Sequence, residues 1–169
     1  MRIIFTSMLL FVSCFTGLVS NAEAIPNPAS KNCVRLGGTL TIVKLQGNDG
    51  RFNGGEIGIC FFGRGIIEEW TLFRYVVSGK EQKAVHVYFN PAEVGVADDS
   101  SVVGIPSPAA KYCQEQGGKS VTVIDQVGAQ SSLCEFSDRS MIDEWTLFRG
   151  FKDEVNKKLT AVLQKHPRS

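Results

Sequence analysis

A six-residue string occurs twice in this chain, and it limits the possible architecture more than any other feature. Residues 69–74 read Glu-Trp-Thr-Leu-Phe-Arg, and residues 144–149 read the same. Both tryptophans of the protein lie in these two strings. An identical hexamer that contains tryptophan rarely arises by chance, and a repeated segment indicates a repeated structural unit. The hexamer therefore predicts two copies of one small fold.

The first 24 residues have the pattern of a secretory signal peptide. Arg2 gives a positive start, residues 3–19 are mostly apolar, and Ala22-Glu23-Ala24 fits the small-residue cleavage site. We expect cleavage after Ala24, no membrane span in the mature chain, and a periplasmic or secreted protein. An uncleaved anchor and a lipoprotein acylated at Cys14 are the alternatives.

The charge balance argues against a nucleic-acid partner. The chain has 18 Lys and Arg against 17 Asp and Glu, a net charge of +1. Removal of residues 1–24 would take away one Arg and one Glu, so the net charge stays at +1. Without a basic excess, we expect no binding to nucleic acid.

The cysteines support the repeat. Besides Cys14, the chain holds Cys33, Cys60, Cys113 and Cys134, an even number that favours disulfides in an exported protein. Each copy contains two of them, so Cys33–Cys60 and Cys113–Cys134 are the predicted pairs. Bridges that close loops of about 20–30 residues stabilise a fold by about 3 kcal/mol each.

Each copy predicts a helix followed by two strands and a second helix. Asn27 can accept a hydrogen bond from a first-turn amide, Pro28 suits the first helical position, and Gly37 can take the left-handed conformation that ends a helix. The second copy repeats this pattern 80 residues later, at Ser107, Pro108 and Gly117. The predicted strands are rich in β-branched residues and lie at residues 39–45, 56–62, 120–124 and 132–136.

These elements predict an α+β fold of two tandem, disulfide-stapled helix–strand–strand–helix units. The predicted first repeat is 25–77 and the second is 105–150. The linker at 78–104 contains an alternating segment, residues 84–89, which we interpret as one strand. Residues 151–169 form a C-terminal amphipathic helix and tail; we expect this helix to close the domain, with a membrane-surface role as the alternative.

Several spaced motifs resemble a known family. They are Asn27-Pro28-Ala29-Ser30, Cys33, Gly37-Gly38, Asn53-Gly54-Gly55 with Gly58 and Cys60, and Glu68-Glu69-Trp70 with Phe73-Arg74. Together they resemble the bacterial domain of unknown function numbered 333, in two copies. Members of that family are exported or lipid-anchored proteins that are often labelled putative hemolysin.

One departure from the family pattern affects the expected fold. The resemblance implies a second disulfide per copy, but its positions hold Ile67 and about Val77 in the first copy, and Ile142 and about Lys152 in the second. We expect packing between the copies, or the final helix, to replace it.

The sequence carries no clear catalytic or metal-binding motif. Glu68-Glu69 and Asp143-Glu144 are paired acids, but neighbouring side chains diverge on a helix, and acids at a helix start are explained by its positive end. The two histidines, His86 and His166, have no counterparts in the other copy. We therefore expect no catalytic residue, no metal and no cofactor.

The hexamers supply the candidate interaction residues. Tryptophan, phenylalanine and arginine at this spacing share one side of a helix. We expect the aromatic rings to pack in the core with arginine covering the indole; the alternative is an exposed pair of grooves for a peptide or glycan. The candidate residues are Glu69, Trp70, Arg74, Glu144, Trp145 and Arg149.

The functional expectation is a non-enzymatic binding module of the bacterial envelope, for example an inhibitor of an extracellular enzyme. Its partner would be an envelope or extracellular protein, a peptide or a glycan. A hydrolase is one alternative, and it requires Glu69 and Glu144 to line a shared open cleft. A lytic factor is the other, and it requires an exposed apolar face on the helix at 151–164.

Overall fold

The computed structural model describes residues 27–91 and 107–166. The predicted signal peptide, Cys14 and most of the second half of the predicted linker lie outside these residues. The helices are Pro28–Arg35 (α1), Glu69–Val76 (α2), Lys83–Phe89 (α3), Pro108–Glu115 (α4), Glu144–Arg149 (α5) and Lys157–Gln164 (α6), with a 3-10 turn at Glu154–Asn156. The strands are Thr39–Leu45 (β1), Glu56–Phe62 (β2), Gly65–Glu68 (β3), Lys119–Ile124 (β4), Gln130–Glu135 (β5) and Met141–Asp143 (β6).

The strands of both copies close into one barrel. Their order is β1-β2-β3-β6-β5-β4, and β4 pairs with β1. Within a copy the pairing is an antiparallel meander; between copies, β3 meets β6 and β1 meets β4. The chain is therefore not two adjacent stapled units, because each copy supplies half of a shared barrel and closure satisfies the edge strands of both.

The two seams show that an internal two-fold axis relates the copies. At one seam Lys44 is opposite Ile124, and at the other Ile67 is opposite Ile142. Each pair joins equivalent positions of the repeat, 80 and 75 residues apart. A position that pairs with its own equivalent must lie on or next to a two-fold axis.

Two threonines of the hexamers connect the copies across this axis. The N–H of Met141 donates to the Thr71 hydroxyl (N–Oγ1 2.9 Å), and the N–H of Ile66 donates to the Thr146 hydroxyl (N–Oγ1 3.0 Å). Thr71 and Thr146 are both fully buried. The repeated hexamer therefore contributes to the interface between the copies.

The barrel separates two apolar layers. One face of the strands forms an inner cluster whose buried members are Val43, Ile59, Val123, Leu133 and Met141. The opposite face packs against the helices outside the barrel in a larger cluster that contains all four described cysteines. Because strand residues alternate between faces, one barrel supports both layers.

The predicted disulfides and helix ends are confirmed. Cys33 is bonded to Cys60 and Cys113 to Cys134, so each bridge joins the first helix of a copy to its second strand. The Asn27 and Ser107 side chains cap α1 and α4 by accepting hydrogen bonds from Ala29 N–H and Ala110 N–H, and Pro28 and Pro108 begin these helices. Gly37 and Gly117 have φ of 83° and 78°, the left-handed conformation expected where the helices end.

The sequence-based prediction missed one strand in each copy and assigned the linker element wrongly. The third strands, β3 and β6, lie between the second predicted strand and the hexamer helix, where no element was predicted. In addition, residues 84–89 belong to a helix, α3, and not to a linker strand. The second copy caps this helix: Lys83 N–H donates to Asp138 Oδ2, and Ala84 N–H donates to the Ser140 hydroxyl. Caps from a distant segment outweigh the strand preference of the alternating valines.

The C-terminal helix begins later than expected and covers the first copy. The continuous helix α6 starts at Lys157, after the 3-10 turn, whereas the pattern predicted a helix from Phe151. Leu159 is fully buried and lies against Gly65 of β3, where an added Cβ would come within 2.7 Å of the Leu159 Cβ. The helices after each hexamer thus cross over: α3 packs on β6 of the second copy, and α6 on β2 and β3 of the first.

The described helices are short. None of those at 27–91 or 107–166 is long and apolar enough to cross a membrane.

Candidate functional site

The hexamer helices begin with a buried carboxylate. The Glu68 carboxylate caps α2 by accepting hydrogen bonds from Trp70 N–H (2.7 Å) and Thr71 N–H (2.6 Å). Asp143 has the same role for α5, since its Oδ1 accepts from Thr146 N–H at 2.8 Å. Burial raises the pKa of both carboxyls, and the hydrogen bonds to the caps oppose that rise. These acids therefore serve as helix caps rather than as solvent-exposed groups.

The two tryptophans are exposed, so the expectation that they pack in the core is wrong. Trp70 is 39% exposed and Trp145 is 42% exposed, at equivalent positions of the two copies. Each indole makes an edge-to-face contact with the phenylalanine three residues later, with ring centroids 5.5 Å apart at Phe73 and 5.7 Å apart at Phe148. The indoles are not part of the barrel core, and each leaves part of its ring exposed at an equivalent position of the surface.

The arginines of the hexamers differ in their contacts. The Arg149 guanidinium lies over the Trp145 ring, 5.4 Å from its centroid. Arg74 is directed elsewhere: its Nε donates to Gln82 Oε1 at 2.8 Å, and its Nη2 donates to the Arg139 carbonyl at 3.4 Å. The Arg149 guanidinium therefore stacks on Trp145. Arg74, its equivalent, instead bonds to Gln82 at the start of α3 and to Arg139 of the second copy.

The acids that follow the caps are buried rather than presented to solvent. Glu69 is 3% exposed and accepts hydrogen bonds from Asn27 Nδ2 (2.7 Å) and the Ser30 hydroxyl (2.6 Å), which tie α2 to α1. A side chain at Gly58 would collide with the Glu69 carboxyl group. Gly58 therefore leaves room for the Glu69 carboxylate, which explains why this position of the motif is a glycine.

Glu144 occupies the equivalent position with fewer donors. The second copy has Ser107 and Ala110 where the first has Asn27 and Ser30. Glu144 is 3% exposed, and its Oε1 has no hydrogen-bond partner among the described residues. Burial raises the pKa of Glu144; the Ser120 hydroxyl lowers it and the neighbouring Asp143 charge raises it further.

The burial of Glu69, Glu144 and the C-terminal helix bears on the hydrolase and lytic-factor hypotheses. The hydrolase hypothesis needs Glu69 and Glu144 to line an open cleft, but both side chains are buried. Glu69 is hydrogen-bonded to Asn27 and Ser30 of the first copy, and Glu144 to Ser120 of the second. The lytic hypothesis needs an exposed apolar face on the C-terminal helix, but Leu159 and Leu163 are fully buried in the outer core. The geometry that either alternative requires is not present in the described residues.

A separate cavity of about 390 Å³ lies between the ends of α2, α3 and α6. Its lining is Tyr75, Glu81, Gln82, Val85, His86, Phe89, Asn90 and Gln164. At its rim, His86 Nδ1 lies 3.1 Å from Glu81 Oε1, and both side chains are mostly exposed. The cavity shares no residue with the tryptophan surfaces.

Sequence reasoning missed two exposed apolar residues on the outer helices of the first copy. Val34 is 61% exposed and Val77 is 52% exposed. The spacing offered a signal for Val77, which lies seven residues after Trp70 and so returns to the same side of the helix axis. Val34 could be placed only once the Ser30–Glu69 hydrogen bond had shown how α1 and α2 lie side by side.

Fold and site together define a class: a disulfide-stapled, pseudo-symmetric barrel built from two copies of a small α+β unit, with one exposed tryptophan per copy. A family model described as Domain of unknown function (DUF333) matches residues 24–75 and 104–151. The chain belongs to this family and contains two copies of its domain, as the spaced motifs predicted. No curated protein and no solved structure gives a significant match.

Proposed function

We propose that the protein is an exported, non-enzymatic binding module of the bacterial envelope that contacts its partner through the two tryptophan surfaces. The observation that carries this proposal is the exposure of Trp70 (39%) and Trp145 (42%) at equivalent positions. Large aromatic side chains usually contribute to a core, and tryptophan is enriched among the residues that dominate binding energy at interfaces.

The surroundings of the tryptophans favour binding over local structural need. Both indoles stand on short helices whose first turns are held by buried caps and whose inner faces pack on the barrel. A rigid helix that presents an amphipathic ring loses little conformational entropy when the ring is covered. An inhibitor of an extracellular enzyme is one concrete form of such a module; a receptor for a peptide or glycan is another.

Export is part of the proposal and rests on the signal-peptide pattern of residues 1–24 together with the two disulfides. Disulfides of this kind persist in oxidising compartments such as the periplasm or the extracellular space. Processing after Ala24 can be checked by N-terminal sequencing of the exported protein, and an intact N-terminus would contradict it.

A pull-down from envelope extract tests the binding role. We compare the wild type with a Trp70→Ala/Trp145→Ala variant and with a Val127→Ala variant, which alters an 88% exposed residue on the second hairpin. We expect the double variant to remain folded and to lose at least one protein or glycan that the wild type and the Val127 variant retain. Equal recovery of every component by all three proteins would rule out the tryptophan surfaces as the contact.

A further inference from the structure

The first copy has an exposed apolar surface that the second copy lacks. Three of the five most exposed large hydrophobic residues in the described chain belong to its two outer helices: Val34 on α1, and Trp70 and Val77 on or just after α2. Side chains of this size are seldom left exposed in a group, and such a group marks a contact site more often than scattered single residues do.

These residues lie on two helices that pack against each other. The Ser30 hydroxyl bonds to Glu69, which places this side of α1 against the start of α2. Val34 lies one turn beyond Ser30 on α1, and Phe73 lies one turn beyond Glu69 on α2. Trp70 contacts the Phe73 ring, and Val77 follows one turn later. We call Val34, Trp70, Phe73 and Val77 the α1–α2 surface.

The exposed charges on α1 and α2 are positive. Lys31 and Arg35 are exposed and flank Val34 on α1, three positions before it and one after it. Neither forms an ion pair with a described acid; Arg35 donates to Asn32 Oδ1. Glu69, the one acid in α1 and α2, is buried and hydrogen-bonded. The surface is thus apolar and aromatic with a cationic border and no exposed carboxylate on either helix.

The second copy serves as an internal control. The equivalents of Val34 and Val77 are Gln114 and Lys152, and the equivalent of Arg35 is Glu115, which lies 4.0 Å from Lys111. Its tryptophan lies beneath the Arg149 guanidinium. Because the same fold accepts Gln114, Lys152 and Glu115 at these positions, its packing does not require Val34, Val77 or Arg35 of the first copy.

We propose that the α1–α2 surface docks the protein on an anionic lipid surface. A tryptophan and small apolar side chains suit the boundary between headgroups and acyl chains, and lysine and arginine at their border attract anionic headgroups. The charge complementarity is the argument for this occupant: α1 and α2 offer cations with no exposed acid. The inference goes beyond the proposed function, because it concerns one copy and needs no protein partner.

Vesicle binding by the exported, purified protein tests the proposal. The probes are vesicles of phosphatidylcholine alone and vesicles in which about a third of the lipid is phosphatidylglycerol. The Trp145→Phe variant leaves Trp70 as the fluorescent reporter, and the Trp70→Phe variant leaves Trp145. We expect a blue shift with the anionic vesicles for the Trp70 reporter and none for the Trp145 reporter.

Matched substitutions at equivalent positions assign the effect to the surface. Lys31→Glu should weaken co-sedimentation with the anionic vesicles about tenfold, whereas Lys111→Glu should change it less than about twofold. Val34→Gln, which installs the residue found in the second copy, should weaken it as well. All three positions are exposed, so circular dichroism should show unchanged folding.

Three results would overturn the proposal. The first is no association of the wild type with anionic vesicles. The second is equal association with vesicles of phosphatidylcholine alone. The third is equal weakening by Lys31→Glu and Lys111→Glu. None of these results bears on the pull-down, since that experiment scores proteins and glycans in a solubilised extract.

Discussion

Thr71 and Thr146 exchange equivalent hydrogen bonds across the internal two-fold axis. Each hydroxyl accepts the N–H of the first or second residue of the third strand of the other copy, at 2.9 Å for Met141 N–H and 3.0 Å for Ile66 N–H. Each hydroxyl also donates to the cap of its own helix, Glu68 or Asp143. In each copy one threonine therefore joins a helix start to the barrel seam.

This exchange predicts the effect of removing either hydroxyl. Thr71→Val and Thr146→Val should each lower the free energy of unfolding by about 1–3 kcal/mol, because a buried strand N–H loses its acceptor. Equilibrium denaturation in urea measures the change. Thr41→Val on β1 is the control, since the half-buried Thr41 makes no side-chain hydrogen bond to the described residues. A cost for Thr71→Val no larger than for Thr41→Val would contradict the role of the exchange.

The Glu69 carboxylate should hold α1 on α2. Glu69→Ala leaves Asn27 Nδ2 and the Ser30 hydroxyl without their acceptor, and we expect a loss of about 1–3 kcal/mol in the free energy of unfolding. Glu56→Ala removes an exposed acid from β2 and should change stability by less than about 0.5 kcal/mol. Similar losses for the two variants would show that the buried carboxylate is not a structural link.

Removing the charge of Glu144, in contrast to removing Glu69, should not lower the free energy of unfolding at neutral pH. Burial raises the pKa of its carboxyl above the usual value of 4.5, so the ionised form is disfavoured in the folded state. The stability tied to this group is therefore present at low pH and is lost as pH rises through the folded pKa. Glu144→Gln should be as stable as the wild type or more stable at neutral pH.

The pH dependence separates this effect from a general change in packing. Any advantage of Glu144→Gln should shrink as pH falls and should vanish below about 4.5, where the wild-type carboxyl is protonated in both states. Thermal unfolding from pH 4 to pH 8 follows the difference. A variant that is less stable than the wild type at pH 7 would show that the charged carboxylate has a partner that stabilises it.

Asp138 should stabilise α3 from the other copy. Burial tends to raise the pKa of its carboxyl, but hydrogen bonds from Lys83 N–H and from the Ser140 hydroxyl and N–H outweigh burial and lower the pKa. Asp138→Ala should cost about 1 kcal/mol at neutral pH, as loss of a helix cap does. A lowered pKa means that this stability is present above the unfolded value of 3.8 and disappears as pH falls through the folded pKa.

Hydrogen exchange locates the effect of Asp138→Ala. The amides of α3, which begins at Lys83, should exchange faster in the variant, while those of α6, which lacks this cap, should change little. Unchanged exchange in α3 would contradict capping across the copies.

Local chemistry accounts for the parts of the fold that sequence reasoning predicted. Asn27, Pro28 and Gly37 act within one helix, and the cysteine pairs follow from the repeat. The hexamer helices were also predicted, because acids at their starts and helical spacing of apolar residues are short-range signals.

The errors occur where distant segments decide the outcome. Residues 84–89 alternate like a strand, yet they form a helix because Asp138 and Ser140 bind its first amides and Val85 and Tyr88 enter the outer core. The third strands β3 and β6 were missed because they are only 4 and 3 residues long, and each is stabilised by pairing with a neighbouring strand and with the other.

The sequence by itself determined the duplication, the disulfide pairing, the family and most helix and strand bounds, since these depend on neighbouring residues and on the comparison of one copy with the other. Only the tertiary structure decided that both copies close one barrel, that α3 and α6 cross over, that Glu69 and Glu144 are buried, and that both tryptophans are exposed. The physical reason is that these properties depend on which distant segment covers each face of a helix or strand. Sequence periodicity shows that an element has an apolar and a polar face, but it does not show which segment packs on either face.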